Sequence, residues 1–387
     1  MGVLAQQVVA AIQSVVGDTK AGLHEPEFTS AEYRLVQDCL DSTMVSSVGE
    51  YVERFEENLA EYTGSPYVVA MSSGTAALHI ALLVAGVGPD DEVLVPALSF
   101  VATANAVVYC GAIPHFIDSD TTTLGMDPGR LRDYLVETTE TQKGRCVNRV
   151  TGRTVRALVP MHTYGHPLLI DEILEIGKEF NLTIIEDAAE ALGSTASGKH
   201  MGTFGDAGIL SFNGNKIITT GGGGALLTGD RKLASRARHL STTAKIPHKW
   251  KYIHDEVGFN YRMPNLNAAI GCAQLTKLSV FVERKRELYL EYKSAFSTVS
   301  GVRIFEEPEG CRSNYWLQTL ILDESFEDEI DEILEETNRC GYMTRPAWTP
   351  LHKLKPYETC PKMRLEVSES LARRIINLPS SPGLMRQ

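Results

Sequence analysis

The sequence predicts an α/β fold with a mostly parallel central sheet, followed by a smaller α+β unit. Three observations predict it. Short β-rich runs alternate with helical ones from about residue 65, the pattern changes character after about residue 245, and 387 residues exceed one ordinary core. The expected division is residues 1–64 as an N-terminal helical segment, 65–245 as a large α/β domain and 246–387 as a small C-terminal α+β domain.

Taken in order, Val3 to Val16 reads as an amphipathic helix. The runs Tyr67-Val-Val-Ala-Met71, Glu92-Val-Leu-Val-Pro96, Ile113-Pro-His-Phe-Ile117, Val155-Arg-Ala-Leu-Val159 and Leu182-Thr-Ile-Ile185 read as strands. Helical pattern between them calls for crossover connections, hence a parallel sheet covered on both faces. The segment Glu137 to Arg153 is polar and lacks an apolar period, so it is expected to be a surface excursion. Further on, Asn265 to Phe296 is read as long helices, Asn314 to Leu322 as a strand and Glu327 to Asn338 as an acidic helix. A short strand near Tyr342 to Arg345 and a helix at Glu369 to Ile376 complete the smaller unit.

Composition narrows the function. Hydrophobic residues at 43% and charged residues at 22% are those of a soluble globular chain. The longest apolar run, near Leu78 to Val87, is far short of the roughly 20 residues of a membrane span. No basic region precedes Val3 to Val16, so no export signal is read and a cytoplasmic location is expected. Seven cysteines without CxxC spacing point to a reducing compartment and no structural zinc. A net charge of −12 argues against a nucleic-acid surface, and any anionic ligand needs positive charge gathered locally.

The chemistry centres on Lys216, in the run Ser211-Phe-Asn-Gly-Asn-Lys216-Ile-Ile-Thr-Thr followed by Gly221 to Gly224. A solvated surface lysine and a flexible turn are the plain alternative. A P-loop is excluded because Asn215 separates Gly214 from Lys216 and Ile217 follows it. The dinucleotide fingerprint is excluded because the glycines lead into a strand, Ala225-Leu-Leu-Thr228, and not a helix. A lysine nucleophile remains, and such a lysine serves a carbonyl or pyridoxal phosphate.

In parallel α/β sheets, ligands sit beyond the carboxyl ends of the strands. After the first strand, Ser72-Ser-Gly74-Thr75 opens a helix, which makes either an ordinary cap or a phosphate seat. After the second comes Phe100, either core or a ring stacked on a flat cofactor. Glu186-Asp187-Ala-Ala-Glu190 closes another strand, and a buried Asp187 needs a cationic partner; a protonated pyridine nitrogen would serve, and a helix cap is the alternative. Ser211 ends the strand before Lys216 and could reach the same phosphate. Each signal is weak alone, and the ordered set is specific.

With these residues in place, the sequence resembles the DegT/DnrJ/EryC1/StrS sugar aminotransferases, which have the aspartate-aminotransferase-like type I fold. The resemblance is carried by Val48-Gly49 with Phe55-Glu56, Ser73-Gly-Thr-Ala-Ala-Leu78, Glu186-Asp187-Ala-Ala, Ser211-Phe212 with Lys216, Gly221 to Gly224, and Gly258-Phe-Asn-Tyr-Arg-Met263, and it covers about 25 to 380. It implies pyridoxal 5'-phosphate, with Lys216 as the Schiff-base lysine, Asp187 as the pyridine partner, Phe100 as the ring over the cofactor and Gly74, Thr75 and Ser211 at the phosphate. Asn260 resembles an asparagine that reaches the phosphate from a neighbouring subunit, which implies a homodimer with a shared active site. Glu190 stands where many members have Gln or His at the cofactor's phenolic oxygen. The chain ends soon after Leu378-Pro-Ser-Ser-Pro382, without the closing helix of some relatives.

Within the family, the Asn213 to Thr220 run, the Glu137 to Arg153 excursion and Thr344-Arg-Pro-Ala-Trp348 with Leu351-His-Lys353 look most like the LegC group, on the route to legionaminic acid. That resemblance implies transfer of an amino group, from glutamate as donor, to C4 of a 4-keto-6-deoxy nucleotide sugar, a UDP-linked N-acetylhexosamine. The alternatives are GDP-4-keto-6-deoxymannose amination, as in perosamine synthesis, or a pyridoxamine-phosphate dehydratase, against which the presence of Lys216 tells. Arg262, Arg345 and His352 are the candidate cations for the diphosphate, and His248-Lys-Trp-Lys-Tyr252 is a solvated loop or a flap over the nucleotide. No basic helix-turn-helix marks a regulator.

Overall fold

The computed structural model describes residues 2–385; the outermost positions of the expected 1–64 and 246–387 units lie outside them. Seven strands form the central sheet: β1 (Tyr67–Met71), β2 (Glu92–Pro96), β3 (Ile113–Ile117), β4 (Val155–Leu158), β5 (Thr183–Asp187), β6 (Ala207–Ser211) and β7 (Gly224–Thr228). Their order is β1-β7-β6-β5-β4-β2-β3. From β6 to β3 all neighbours are parallel, and only β7 runs against both β6 and β1. Every strand except β7 therefore ends at the same edge, and the turns after β1, β2, β4, β5 and β6 converge there.

Burial follows from composition. The helix Gly74–Val84 reads Gly-Thr-Ala-Ala-Leu-His-Ile-Ala-Leu-Leu-Val, has no polar face, and is buried nearly all round against β1, β5, β6 and β7. Its start is fixed by Ser73, whose side chain accepts from the Ala76 amide at 3.0 Å. The strands carry Val, Ile, Leu and Ala facing both ways, as a sheet covered on both faces requires.

The smaller unit is an antiparallel sheet of β8 (Val302–Ile304), β9 (Gln318–Leu322), β10 (Arg345–Pro346) and β11 (Ile375–Leu378), in the order β8-β9-β11-β10. Helices Leu278–Phe296 and Ile330–Arg339 pack with it. The N-terminal segment is divided between the two cores: Leu4, Val8 and Ile12 of helix Val3–Val16 join the small unit, whereas Tyr51, Phe55 and Leu59 of helix Glu50–Thr63 join the large one.

Local departures from expectation have local causes. The 137–153 excursion is a hairpin, Thr139–Gln142 against Arg145–Asn148, turning at Lys143 and Gly144, both with positive φ. The run from Asn314 becomes a strand only at Gln318, because Tyr315 takes φ 47° and the Trp316 amide donates to Asn314 Oδ1. The last helix covers Glu366–Arg374, and the following Ile-Ile-Asn-Leu is a central strand of the small sheet.

Candidate active site

At the carboxyl edge of the sheet lies a cavity of about 410 Å³. Gly74, Thr75, Phe100, Asp187, Glu190, Ser211 and Lys216 line it together, with contributions from Thr103, Met161, Trp316 and Trp348.

The strand β5 ends in two acids whose side chains point to opposite faces, and their environments differ accordingly. Glu186 accepts from the amides of Gly202 (2.8 Å), Phe204 (2.6 Å) and Gly205 (2.7 Å) and pairs with His162 at 3.1 Å. Burial pushes its carboxyl up, but these bonds outweigh it and hold the group below its usual range. Asp187 faces the cavity at 4% exposure, taking Thr103 Oγ1 at 2.8 Å and the Ala189 amide at 3.2 Å. Burial dominates here, and the carboxyl is raised. No ion pair to Asp187 is formed among the described residues; the charge of Lys216 acts on it from a distance and does not offset burial.

Lys216 sits on the loop joining antiparallel β6 and β7. Its amide donates to Asn213 O at 3.0 Å, and its side chain is 13% exposed. Its Nζ lies 3.1 Å from Glu190 Oε1 and 3.8 Å from the centre of the Trp316 ring. Glu190, 3% exposed, also accepts from the Tyr164 amide at 2.9 Å. Burial raises its carboxyl and Lys216 draws it back down, with the rise prevailing.

The turn after β1 is pressed against the end of β6. A Cβ on Gly74 would lie 2.9 Å from Ser211 Cβ, so glycine is required by contact. The four-glycine run meets the same turn: a Cβ on Gly224 would fall 2.4 Å from the Ser73 carbonyl carbon. These glycines give backbone room at the cavity floor, where Gly222 and Gly223 are exposed to it.

A flat pyridine carrying an aldehyde, a phosphate and a protonable nitrogen matches this donor set. Asp187 could supply a counter-charge to its nitrogen, Lys216 the amine, and the Gly74–Thr75 helix start with Ser211 donors to its phosphate. Phe100, 52% exposed although apolar, presents a ring to the same space.

Four expected site residues lie outside this cavity. Arg262 is spent on structure: its Nη1 donates to Glu56 Oε1 at 2.6 Å and to Ala70 O at 3.0 Å, with both charged side chains 9% exposed. Arg345 is exposed on β10 and bonds Asn338 Oδ1 and the Thr344 carbonyl. His352 is buried, bonds Glu369 at 2.9 Å and packs on Phe116. Asn260 is exposed, bridged through its backbone to Thr242. The 248–252 stretch caps an exposed hairpin, Lys245–Ile246 with Ile253–His254, and Trp250 and Tyr252 are 70% and 82% exposed.

Sequence reasoning missed Thr103, Trp316 and, as a wall of the cavity, Trp348. Thr103 lies inside a helical pattern and carries no signal of its own. Trp316 was hidden in what reads as a strand, although an asparagine two residues earlier is a mark of turn chemistry.

Comparison with known proteins adds to the geometry. The family model described as the DegT/DnrJ/EryC1/StrS aminotransferase family matches residues 26–387. A GDP-perosamine synthase of Escherichia coli O157:H7 is 38% identical over 365 residues, 94% of each chain. One from Caulobacter vibrioides is 37% identical over 361 residues, covering 93% of this chain and 92% of its own. Among solved structures, the aminotransferase TlmJ from Streptoalloteichus hindustanus superimposes with a TM-score of 0.82 at 31% identity, covering 94% of each chain.

Proposed function

This chain belongs to the DegT/DnrJ/EryC1/StrS aminotransferase family of pyridoxal-phosphate-dependent sugar aminotransferases, and from that premise we propose that it transfers an amino group from an amino acid, glutamate, to C4 of GDP-4-keto-6-deoxymannose. The observation that carries the choice of substrate is the identity to relatives named GDP-perosamine synthase, 38% over 365 residues. The likeness to the LegC group, and with it the UDP-linked reading, rests on three short runs. One of them, residues 137–153, folds as a hairpin that contributes nothing to the cavity.

The chain's own residues divide the work. In this reading Asp187, steadied by Thr103 and the Ala189 amide, keeps a pyridine nitrogen protonated. The amides opening helix Gly74–Val84, with the hydroxyls of Thr75 and Ser211, hold the phosphate in the same reading, since they line the cavity together. Phe100 presents a face for stacking. Lys216 Nζ, bonded to Glu190, is the amine placed to carry a proton from the donor's Cα and to return one at the sugar carbon. When bound, the cofactor would supply the sink for the electron pair left when the donor's Cα gives up its proton. Asn260, exposed and outside its own chain's cavity, is assigned to the neighbouring site of a homodimer.

The experiment is a substrate panel. The purified holoenzyme is given L-glutamate with the GDP-, UDP- and dTDP-linked 4-keto-6-deoxy sugars, and products are read by mass spectrometry. Amination of the GDP sugar at a kcat/KM at least tenfold above the others is expected; preference for a UDP-linked acetamido sugar overturns the substrate assignment.

A further inference from the structure

We infer that Trp316 is a positioning residue for Lys216: its ring is the rest on which the lysine's free amino group is held beside Glu190. This rests on the reading of Lys216 as the cofactor lysine, because only such a lysine alternates between a bonded and a free state.

The contacts form a closed set. Lys216 Nζ stands 3.8 Å above the indole centre, within the range where an ammonium is attracted by the ring's negative face. The indole is fixed to the lysine's own loop, because Nε1–H donates to the carbonyl of Asn215 at 2.8 Å. Ring and lysine backbone are therefore held in register by one bond. On the other side, the Trp316 amide donates to Asn314 Oδ1 at 2.8 Å, and Asn314 Nδ2 donates to the carbonyls of Glu190 (2.8 Å) and Leu192 (2.9 Å). One short turn of the small unit thus grips both members of the Lys216–Glu190 pair.

The backbone of that turn is unusual in a way that serves the grip. Tyr315 adopts φ 47°, the left-handed region that non-glycine residues rarely enter. The conformation is enforced by packing: Tyr315 is 1% exposed and stacks on Tyr289 with centroids 4.4 Å apart. Strain of this kind persists where the surroundings over-determine it and is concentrated at functional sites. Here the kink lets Asn314 and Trp316 serve the same pair.

A lysine side chain has four rotatable bonds, and in each half of a transamination it must return to the same carbon. Glu190 alone offers a single acceptor, which fixes a direction but leaves the chain free to swing about it. The indole face supplies the second support. The competing role for Trp316 is that of a wall against the sugar.

Half-reactions that involve no sugar separate the two. The full-length holoenzyme and its Trp316→Phe and Trp316→Leu variants are mixed in stopped flow with L-glutamate, and in the reverse direction with 2-oxoglutarate, and the cofactor's absorbance is followed. Loss of the ring in Trp316→Leu is expected to slow both directions roughly tenfold, the scale of a desolvated cation–ring contact, with half-saturating concentrations within about twofold. Trp316→Phe should recover most of the rate. A second measurement needs no turnover: in the cofactor-free full-length protein, Lys216→Met should change tryptophan emission, and the same change should vanish in the Trp316→Phe background. Unaltered half-reactions in Trp316→Leu, or an emission change equal in both backgrounds or absent from both, overturns the inference. Failure of the underlying reading shows separately, as borohydride fixing the cofactor to a residue other than Lys216.

Discussion

Thr103 Oγ1 donates to Asp187 Oδ2 at 2.8 Å, and this bond sets the orientation of a buried carboxylate that no protein cation among the described residues neutralises. Thr103→Val removes the bond and leaves the carboxylate one donor poorer. A loss of about 1.5 kcal/mol in cofactor binding, near tenfold in Kd, is expected, and equilibrium dialysis of pyridoxal phosphate checks it.

Asp187 itself makes a prediction with opposite signs for stability and function. Its carboxyl is raised by burial in the cofactor-free protein. Below the ordinary aspartate range both folded and unfolded chains carry the proton, and the group costs nothing. As pH rises, the unfolded chain ionises first and stability falls; once the folded carboxyl also ionises, the penalty is constant. Asp187→Asn should therefore raise the Tm of the cofactor-free protein at neutral pH by a few degrees and lose that advantage in acid, while lowering kcat by about two orders of magnitude. Calorimetry across pH and a steady-state assay test the two halves.

Lys216→Ala should abolish both turnover and covalent attachment of the cofactor. After borohydride reduction the wild-type peptide spanning Lys216 should carry the added mass of the cofactor and the variant peptide should not. An active Lys216→Ala enzyme would refute the assignment.

Arg262 tests the distinction between a substrate cation and a structural one. Its partner Glu56 also accepts from Arg238 at 2.8 Å and from the Ala70 amide at 2.7 Å, so the pair ties β1 to the segment after the exposed hairpin. Arg262→Ala takes one charged donor from a mostly buried Glu56 that keeps Arg238 and the Ala70 amide, and a loss of about 1.5 kcal/mol in folding stability is expected. The KM for the nucleotide sugar should stay within twofold; a tenfold rise in KM with unchanged Tm would restore Arg262 to the diphosphate.

The cavity-lining residues legible in the sequence are those whose place depends on position along a strand. Asp187 and Ser211 close β5 and β6, Gly74 and Thr75 follow β1, and Lys216 stands between a strand end and a glycine run; strand ends are visible as local patterns. The pairing of Arg262 with Glu56, 206 residues away in the chain, is one that no local pattern reveals. Trp316 was missed for a related reason. The run from Asn314 onward is rich in aromatic and branched apolar residues and reads as a strand, and the left-handed turn at Tyr315 that removes the first residues from the sheet is enforced by stacking on Tyr289, a tertiary contact.

Asn260 yields a test of the shared site that a size measurement alone does not. In a homodimer whose sites each combine Lys216 of one chain with Asn260 of the other, Lys216→Ala and Asn260→Ala are each inactive or strongly impaired alone. Their hybrid carries one site with both defects and one with neither. Co-expression that pairs subunits at random makes half the dimers hybrid, so roughly a quarter of wild-type activity should return by symmetry. If Asn260 acted within its own chain, every site in the mixture would carry one defect and no activity would return. The exposure of Asn260, outside its own chain's cavity, favours the first outcome. The assay on separated hybrid dimers decides between them.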